Sequence, residues 1–368
     1  MTVPTIPFLD LRPGDDAAEI AAAIDRVVTR GWFVLGPEVE AFETEFAAAS
    51  GARFAVGVGN GTDALTLLLR AADIGPGDEV IVPALTAAFT GLAVMAAGAT
   101  PVFADLDPER LTLDPTACAD AITPRTRAIM PVHLYGQAAD VPALRSLAAA
   151  KSLRLIEDCC QAHLATSAGV AVGTTGFGGA FSFYPTKNLG ALGDGGAIVT
   201  NDASVAERLR RLRNGGQRDR YRHEEPGINS RLDELQAAVL RVRLTRLRRD
   251  TGRRRQLAAA YRAQLPPWLA PIPAVDAGHV YHLFPVRHVE RDALQQHLRA
   301  AGIETLIHYP VPLPEQPAFA PLHPAACPVA ARAARELLSL PLYPRLAPAD
   351  LDRVCAAAAT FQKGRVLA

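Results

Sequence analysis

The chain has 368 residues, and its 38 lysine and arginine residues balance its 38 aspartate and glutamate residues. This zero formal charge argues against a nucleic-acid partner, and a content of 49% hydrophobic and 21% charged residues excludes a disordered chain. The start of the chain lacks the basic and apolar regions of a secretory signal, and its apolar runs are shorter than a membrane span. We therefore expect a cytoplasmic protein without a membrane partner. The five cysteines lack CxxC spacing, which predicts reduced thiols and no metal site.

Short β-rich runs alternate with segments of helical periodicity through the first part of the chain. The predicted strands are residues 54–58, 79–83, 101–104, 128–133 and 153–158. Strands joined by helices pair in parallel through right-handed crossovers, so the pattern predicts an α/β fold with helices on both faces of the sheet. Ligands of such sheets bind at the carboxyl ends of the strands, so the polar residues that follow strands are candidates for function.

The pattern changes in the last third of the chain. One long helix is predicted over residues 230–249, with a continuation or a second helix over 251–265. The later predicted elements are strands at 282–286 and 304–308 and helices at 291–300, 328–338 and 348–361. A chain of this length usually exceeds one compact core. We therefore predict a large α/β domain over residues 1–250 and a smaller α+β domain over residues 251–368.

A glycine-rich turn, Gly57-Val-Gly-Asn-Gly61-Thr62, joins the first predicted strand to a helix. Glycines let the backbone approach an anion, and the first turn of the helix offers free N–H groups. Thr62 stands where the dinucleotide fingerprint needs a third glycine, and no Walker lysine follows. The turn favours a phosphate site for a small cofactor, with an ordinary strand-to-helix turn as an equal alternative.

Asp158 ends an apolar predicted strand in Ile156-Glu-Asp158-Cys-Cys-Gln161-Ala-His163. An unpaired carboxylate is costly there, so Asp158 is either the N-cap of a helix or a counter-ion for a cationic ring nitrogen in the cleft. The segment alone leaves both interpretations open.

Lys187 follows another apolar run and precedes a glycine-rich loop. Burial lowers the pKa of a lysine, and a neutral amine forms an imine with an aldehyde. A solvated surface lysine is the alternative interpretation. Together, a phosphate site, a carboxylate for a ring nitrogen and an amine for an aldehyde match pyridoxal 5'-phosphate, so we predict this cofactor and transamination chemistry.

A series of longer motifs extends over nearly the whole chain. They are residues 31–43, 59–65, 75–83, 131–137, 182–190, 229–238 and 307–310. In this order they resemble the DegT/DnrJ/StrS family of pyridoxal-phosphate-dependent sugar aminotransferases. The resemblance implies a fold type I transferase, similar to aspartate aminotransferase, with a mixed, mostly parallel sheet in the large domain and a smaller α+β C-terminal domain.

The resemblance also implies roles for the candidate residues. Lys187 would form the internal Schiff base and act as acid and base, and Asp158 would bind the pyridine nitrogen. Gln161 would bond near the phenolic oxygen of the ring. The residues implied for the phosphate are Gly61, Thr62 and Ser182.

Other assignments concern the substrate side and the partner subunit. Asn229 is expected to reach the phosphate of a neighbouring subunit, which implies a homodimer with shared active sites. His308 and Tyr309 are expected on the sugar-nucleotide side of the cleft. Many members carry an aromatic residue where Ala87 stands, so Phe89 is expected to supply the ring that stacks on the cofactor.

The resemblance thus implies an enzyme that converts a nucleotide-linked keto-deoxysugar, with dTDP as the expected nucleotide, into an amino sugar with L-glutamate as donor. A cyclitol ketone of the scyllo-inosose type is an alternative acceptor. Dehydrating relatives carry histidine at the lysine position, and Lys187 argues against that chemistry. A regulatory protein that binds a sugar nucleotide without turnover is a further alternative, against which the pair of Asp158 and Lys187 argues.

Two other charged features have structural interpretations. The arginine-rich run over residues 241–255 predicts a solvated helix face with acidic partners. Asp105 and Asp107 predict a turn or a helix cap, because no histidine or further close pair of acids supports a metal site.

Overall fold

The computed structural model describes residues 5–361. Its α-helices are α1 (Ala17–Arg30), α2 (Pro37–Ser50), α3 (Gly61–Ala71), α4 (Phe89–Ala96), α5 (Pro115–Asp120), α6 (Val141–Ala150), α7 (Ala203–Leu212), α8 (Glu234–Leu244), α9 (Leu247–Gln264), α10 (Arg291–Ala300), α11 (Pro328–Glu336) and α12 (Pro348–Ala359). Its strands are β1 (Phe54–Val58), β2 (Glu79–Pro83), β3 (Thr100–Ala104), β4 (Thr126–Ile129), β5 (Arg154–Asp158), β6 (Thr166–Ser167), β7 (Val170–Ala171), β8 (Gly178–Ser182), β9 (Gly196–Thr200), β10 (Gln217–Asp219), β11 (Arg222–His223), β12 (Ala270–Pro271), β13 (Phe284–Arg287) and β14 (Leu337–Leu340).

The central sheet has seven strands in the order β1-β9-β8-β5-β4-β2-β3. Neighbours from β3 across to β8 pair in parallel, whereas β9 runs antiparallel to both β8 and β1. Every strand except β9 therefore ends at the same edge of the sheet. This arrangement confirms the predicted mixed, mostly parallel sheet.

Helices cover both faces of the sheet because successive side chains of a strand point to opposite faces. In β2, Val80 and Val82 pack in the core formed with α3, α4 and α7, whereas Ile81 packs in the core formed with α5 and α6. The second face continues under α2 and α8, where the ring of Phe46 meets that of Phe181 edge-on with centroids 5.1 Å apart. Such two-sided burial explains why β2 is apolar along its centre rather than alternating.

Strand β1 lies at one edge of the sheet, and its Gly57 is braced by two charged side chains. The Gly57 N–H donates to the Glu43 carboxylate at 2.8 Å, and the Arg213 guanidinium donates to the Gly57 carbonyl at 2.7 Å. Arg213 and Glu43 also form a buried ion pair. This brace holds the last residues of β1 in front of the α3 helix.

A second sheet, formed by β12, β13 and β14, is antiparallel and has a core of its own. The helix predicted over residues 291–300 is confirmed as α10, which packs on this sheet with α12. The strand predicted at 304–308 is wrong. Only Leu306 pairs there, through an isolated bridge to Ser339, because His308 uses its ring and its carbonyl in side-chain hydrogen bonds instead of a ladder.

The long helix predicted over residues 230–249 is also wrong at both ends. Asp233 is extended and bridges to Val34, so α8 begins at Glu234. The Arg246 N–H bonds the carbonyl of Arg243, three residues back, after α8 has ended. Helix α9 then runs through residue 250, so the predicted domain boundary falls inside a helix, and the two-domain division stays a prediction.

Most of the arginine-rich run has the acidic partners that its sequence predicts. The pairs are Arg241 with Glu38 and Glu45, Arg243 with Asp16, Arg246 with Glu19, and Arg249 with Asp15 and Asp250. Arg254 differs from the prediction because it is buried and donates to the carbonyls of Tyr281, His282 and Leu342. Burial lowers the pKa of Arg254 to about 10.

Across residues 5–361, every helix is either too short or too polar to span a bilayer.

Candidate active site

The turn from β1 to α3 places a helix N-terminus at the carboxyl edge of the sheet. Asn60 is the N-cap, and its side chain accepts the N–H of Asp63 at 2.8 Å. The Ser230 hydroxyl accepts the N–H of Gly59 at 2.9 Å and donates to Asp63 at 2.6 Å. The N–H groups of Gly61 and Thr62 have no partner within residues 5–361, so they remain available to an anion.

Gly61 allows α3 to begin very close to two other loops of the site. A Cβ at this position would lie 2.7 Å from the Cys160 sulfur and 2.9 Å from the Ser182 Cβ. Ser182 is the last residue of β8, so the structure brings Gly61, Thr62 and Ser182 together, as predicted for the phosphate. A side chain at position 61 would separate them.

Asp158 is the last residue of β5, and its buried carboxylate has two donors. One oxygen accepts the hydroxyl of Thr90 at 2.8 Å, and the other accepts the N–H of Cys160 at 3.1 Å. A carboxylate has about four lone-pair sites, so Asp158 can still accept a hydrogen bond from a ring N–H. Asp158 therefore makes a local turn and is not the N-cap of a regular helix.

Lys187 lies half-buried in the loop that follows β8. Burial lowers the pKa of its amine, while the nearby Cys160 and Asp158 side chains act in the opposite direction. The Asp158 carboxylate and the Lys187 amine thus act on one another in the same site. Because the pKa is lowered, a larger fraction of the amine is neutral and nucleophilic near neutral pH than for a solvated lysine.

Three histidines around Lys187 are kept neutral. Burial, and then the charge of Lys187, lower the pKa of His163 to about 3 and that of His308 to about 4. The pKa of His282 is also lowered by the same two causes. These imidazoles therefore add no positive charge that would compete with a cationic cofactor ring.

Gln161 connects the cofactor side of the site to the predicted substrate side. Its carbonyl oxygen accepts the backbone N–H of Tyr135 at 2.7 Å, and its amide nitrogen donates to the Tyr309 hydroxyl at 2.9 Å. The Tyr135 hydroxyl in turn donates to the His308 carbonyl. The structure therefore brings His308 and Tyr309 next to the residues predicted for the ring.

Two predicted residues are less enclosed. Phe89 is the first residue of α4 and is 62% exposed, whereas Thr90 beside it is buried against Asp158. Asn229 is exposed and bridges to Asn214 of the same chain. The roles of Phe89 in stacking and of Asn229 toward a neighbouring subunit stay predictions.

The sequence analysis missed Thr90 and Tyr135 as parts of the site. Thr90 adjoins Phe89, so the helical periodicity of 3.6 residues could have indicated that the two face different directions. Tyr135 lies in the motif over residues 131–137, but the sequence alone indicates no chemical role for this side chain.

A buried cluster next to Asp158 offers three ligand atoms of metal-binding type. His133, Glu157 and Cys159 have such atoms within 4.8 Å of one another. The His133 Nδ1 accepts the N–H of Ala139, so Nε2 carries the hydrogen and donates to Glu157 at 3.0 Å. Glu157 also accepts from Gly173 and Thr175, so hydrogen bonds account for this cluster.

Asp105 and Asp107 have the structural roles predicted for them. Asp105 accepts the N–H groups of Val329 and Ala330 at 2.9 Å and so caps α11. Asp107 accepts the N–H groups of Glu109 and Arg110 in a turn.

The residues present fit pyridoxal 5'-phosphate. The free N–H groups at the start of α3 suit its phosphate, Asp158 has room for its ring N–H, and Lys187 offers an amine of lowered pKa for its aldehyde. Gln161, which the resemblance assigns to the phenolic oxygen of the ring, would have a second amide hydrogen for it besides the one on the Tyr309 hydroxyl.

Comparison with known proteins agrees with this fit. The family model described as the DegT/DnrJ/EryC1/StrS aminotransferase family matches residues 14–359. The chain is 53% identical over 350 residues to the dTDP-3-amino-3,4,6-trideoxy-alpha-D-glucose transaminase of Streptomyces venezuelae, covering 93% of this chain and 92% of that protein. It is 49% identical over 358 residues to the erythromycin biosynthesis sensory transduction protein EryC1 of Saccharopolyspora erythraea, covering 95% of this chain and 98% of that protein.

The crystal structure of S. venezuelae DesV superimposes with a TM-score of 0.94 at 50% identity, over 96% of this chain and 98% of that chain. This match confirms the fold type I architecture. Enzymes of the family depend on pyridoxal phosphate, which confirms the predicted cofactor and the predicted enzyme class. The chain belongs to the DegT/DnrJ/EryC1/StrS family and is a pyridoxal-phosphate-dependent aminotransferase.

Proposed function

We propose that this aminotransferase moves the amino group of L-glutamate to the keto carbon of a nucleotide-linked deoxysugar. The relative at 53% identity is named for a dTDP-linked 3-amino sugar, so a dTDP-3-keto-deoxysugar is the first candidate acceptor. The observation that carries the proposal is the placement of Lys187 and Asp158 in one site, where burial lowers the pKa of the lysine.

The side chains of the site divide the work of such a reaction. When bound, pyridoxal phosphate supplies an electron sink for the charge that develops at the donor Cα. Asp158 keeps the ring nitrogen cationic and is itself held by Thr90. The Lys187 amine, whose pKa burial lowers, would take the proton from the donor Cα and return a proton on the sugar side.

Three finer points belong to the same proposal. The protein works in the cytoplasm, and it is a homodimer whose active sites are shared. Asn229 of one protomer contacts the cofactor phosphate in the other, for which its exposure on this chain leaves it available. Phe89, exposed at the start of α4, stacks on the cofactor ring.

The test starts with the purified protein and pyridoxal phosphate. Borohydride reduction followed by peptide mass spectrometry is expected to place the cofactor on Lys187. Addition of L-glutamate is expected to convert the bound cofactor to its amino form, with loss of the visible absorption band. Lys187→Arg keeps the positive charge but removes the reactive amine. We therefore expect this variant to show neither covalent attachment of the cofactor nor conversion of the cofactor by L-glutamate. A wild-type protein that shows neither would contradict the proposal.

The acceptor is then identified by product mass with a panel of keto substrates. We expect product from a dTDP-3-keto-deoxysugar and compare it with dTDP-4-keto-6-deoxyhexose, a UDP-linked keto sugar and scyllo-inosose. A regulatory function is a second candidate because one close relative carries a sensory-transduction name. Tight binding of one nucleotide sugar without product from any acceptor would favour that function over catalysis.

A further inference from the structure

A groove of about 690 Å³ lies at the edge of the central sheet opposite the candidate active site. Arg154, the first residue of β5, lines this groove, whereas Asp158, the last residue of the same strand, belongs to the active site. Four steps along a strand separate the two backbones by about 13 Å. The groove is therefore a separate place in the molecule, and its properties do not depend on the proposed function.

Three arginines line this surface, which we call the basic groove: Arg53, Arg145 and Arg154. All three are exposed, and none of them forms an ion pair with any of residues 5–361. The side chain of Arg145 also has no hydrogen-bond acceptor in that part of the chain. By contrast, Arg241 and Arg243 on α8 both bind acidic side chains. The charges of the basic groove are thus left unbalanced by the protein.

The acidic residue that lines the basic groove, Asp202, is engaged in another contact. Its carboxylate caps α7 by accepting the N–H groups of Ser204 at 2.8 Å and of Val205 at 3.3 Å. The hydrogen bonds from Ser204 are the main cause that lowers the pKa of Asp202, and the charge of Arg53 contributes least. The basic groove therefore carries three positive charges against one negative charge.

Two of the arginines are held in place by neighbouring groups. The guanidinium of Arg154 lies over the ring of Phe177, 5.2 Å from its centroid, and that of Arg53 lies over the ring of Phe54 at the same distance. Arg53 also donates to the carbonyl of Asn201 at 3.2 Å. Stacking on a ring uses the face of a guanidinium and leaves most of its N–H groups available to an anion. Because these side chains are already ordered, less entropy is lost when a ligand binds.

The size and charge of the basic groove indicate the chemistry of its ligand. The fork of N–H groups on a guanidinium matches the oxygens of a phosphate group. Helix α7 begins at Ala203, which also lines the groove, so the positive end of the helix dipole adds to the attraction. The volume falls within the range of about 300–1,000 Å³ that is typical of small-molecule sites. Three cationic side chains suit a ligand with more than one phosphate group.

We propose that the basic groove binds a diphosphate group, with Arg145 and Arg154 donating to its oxygens and Arg53 adding positive charge. The diphosphate arrives either as free pyrophosphate or as part of a nucleoside diphosphate. The groove is a binding site only: no bond is made or broken in it, and Lys187 takes no part.

The test uses the holoenzyme after borohydride reduction, so that the cofactor stays in the active site. Isothermal titration calorimetry is carried out with pyrophosphate at about 0.15 M salt, where weak surface attraction is screened. We expect saturable binding with a dissociation constant below about 1 mM. Hydrogen exchange followed by mass spectrometry then locates the ligand, and we expect slower exchange in peptides that cover residues 145–155 and 174–178.

The same exchange experiment with dTDP distinguishes the two sources of the diphosphate. Slower exchange around the basic groove at lower concentrations of dTDP than of pyrophosphate identifies a nucleoside diphosphate as the ligand. Slower exchange there with pyrophosphate alone identifies the free anion. If neither compound slows exchange in these peptides, the proposal is overturned.

Arg145→Glu tests the basic groove without disturbing the fold, because the Arg145 side chain is exposed and has no partner in the described chain. The reversed charge repels the ligand, so we expect the dissociation constant of pyrophosphate to rise about tenfold or more. Arg154→Met keeps an apolar side chain on the Phe177 ring and removes only the charged group. We expect a rise of about three- to tenfold in that variant.

The matched control combines Arg299→Ala with Arg335→Ala. Both arginines are exposed, lie on α10 and α11 outside the groove, and have no side-chain partner among residues 5–361. The control lowers the net charge by two, as Arg145→Glu does, and is expected to bind pyrophosphate as tightly as the wild type. An equal loss of affinity in the control and in Arg145→Glu would show a general effect of charge and overturn the proposal, as would unchanged binding in Arg145→Glu.

Discussion

A buried carboxylate is stable only when donors meet its oxygens, and Asp158 has two of them. The Cys160 N–H comes from the following turn, whereas the Thr90 hydroxyl comes from α4, 68 positions away along the chain. The Thr90 hydroxyl donates to one oxygen of Asp158 and so satisfies a polar atom that would otherwise be buried without a partner.

We predict that Thr90→Val weakens binding of pyridoxal phosphate about tenfold, because a hydrogen bond to a charged group is lost in a buried site. The dissociation constant is measured by fluorescence titration of the cofactor-free protein. Thr90→Ser keeps the hydroxyl and serves as the control, with an expected affinity close to that of the wild type. Equal affinities of the valine and serine variants would show that the hydroxyl does not support Asp158.

The sequence predicts the candidate site residues that follow strands. It does not predict the residues that hold those side chains in place. Asp158 and Lys187 could be predicted because each is a polar residue after an apolar strand, and parallel strands bring their ends together. Thr90 and Tyr135 could not, because their importance arises from contacts with Asp158, Gln161 and His308 that local periodicity does not contain.

Helix α2 depends on a single side chain from a distant part of the chain. The buried carboxylate of Glu234 accepts the N–H groups of Gly36, Glu38 and Val39 at 2.8 to 3.0 Å, and thereby caps the N-terminus of α2. Asp105 caps α11 in the same way. A negative charge at this end also complements the helix dipole.

We predict that Glu234→Ala lowers the free energy of unfolding by roughly 3 kcal/mol, because three buried N–H groups lose their acceptor. Glu234→Gln keeps one oxygen for the helix and is expected to lose about half as much. Urea unfolding followed by circular dichroism gives both values. The prediction fails if the alanine variant is no less stable than the glutamine variant.

Elements were predicted well where the pattern is local. Helix α10 was predicted with its observed bounds, since its apolar side chains recur at helical spacing and pack on the small sheet. The strand at 304–308 was not found, because the bonds of His308 to Tyr135 and Ser339 decide the course of that segment. The sequence predicts one helix up to residue 249, whereas the structure has a break between the end of α8 at Leu244 and the start of α9 at Leu247. Neither glycine nor proline marks this break in the sequence.

At the scale of the whole molecule, several histidines are buried in their neutral form. Burial is the main cause that lowers the pKa of His163 and His279 to about 3 and that of His308 to about 4, from 6.5 for the free side chain. Protons therefore bind to these groups in the unfolded chain at a higher pH than in the folded protein. Their contribution to stability is complete above pH 6.5 and is lost as the pH falls toward the folded values.

We predict that the free energy of unfolding decreases as the pH is lowered from 7 to 5, with each such histidine contributing up to about 1.4 kcal/mol per pH unit. Glu38, whose pKa is held at about 2 chiefly by Arg26, loses its contribution only below its unfolded value of 4.5, so it does not affect this range. Denaturant unfolding at several pH values measures the slope.

The control for this pH dependence is His279→Asn, which keeps an acceptor for the Tyr281 N–H and removes one titrating group. Its slope between pH 7 and 5 is expected to be smaller than that of the wild type. A wild-type stability that stays constant over this range would mean that the buried histidines do not control acid unfolding.

The brace at Gly57 has a consequence for how these molecules behave at high concentration. An edge strand with free N–H and carbonyl groups can recruit a strand from another molecule and start aggregation. On β1, Glu43 and Arg213 already occupy both backbone groups of Gly57, and their bulk lies where a foreign strand would have to approach. The same ion pair that steadies the cofactor end of β1 therefore protects this margin of the sheet against adding strands from other copies.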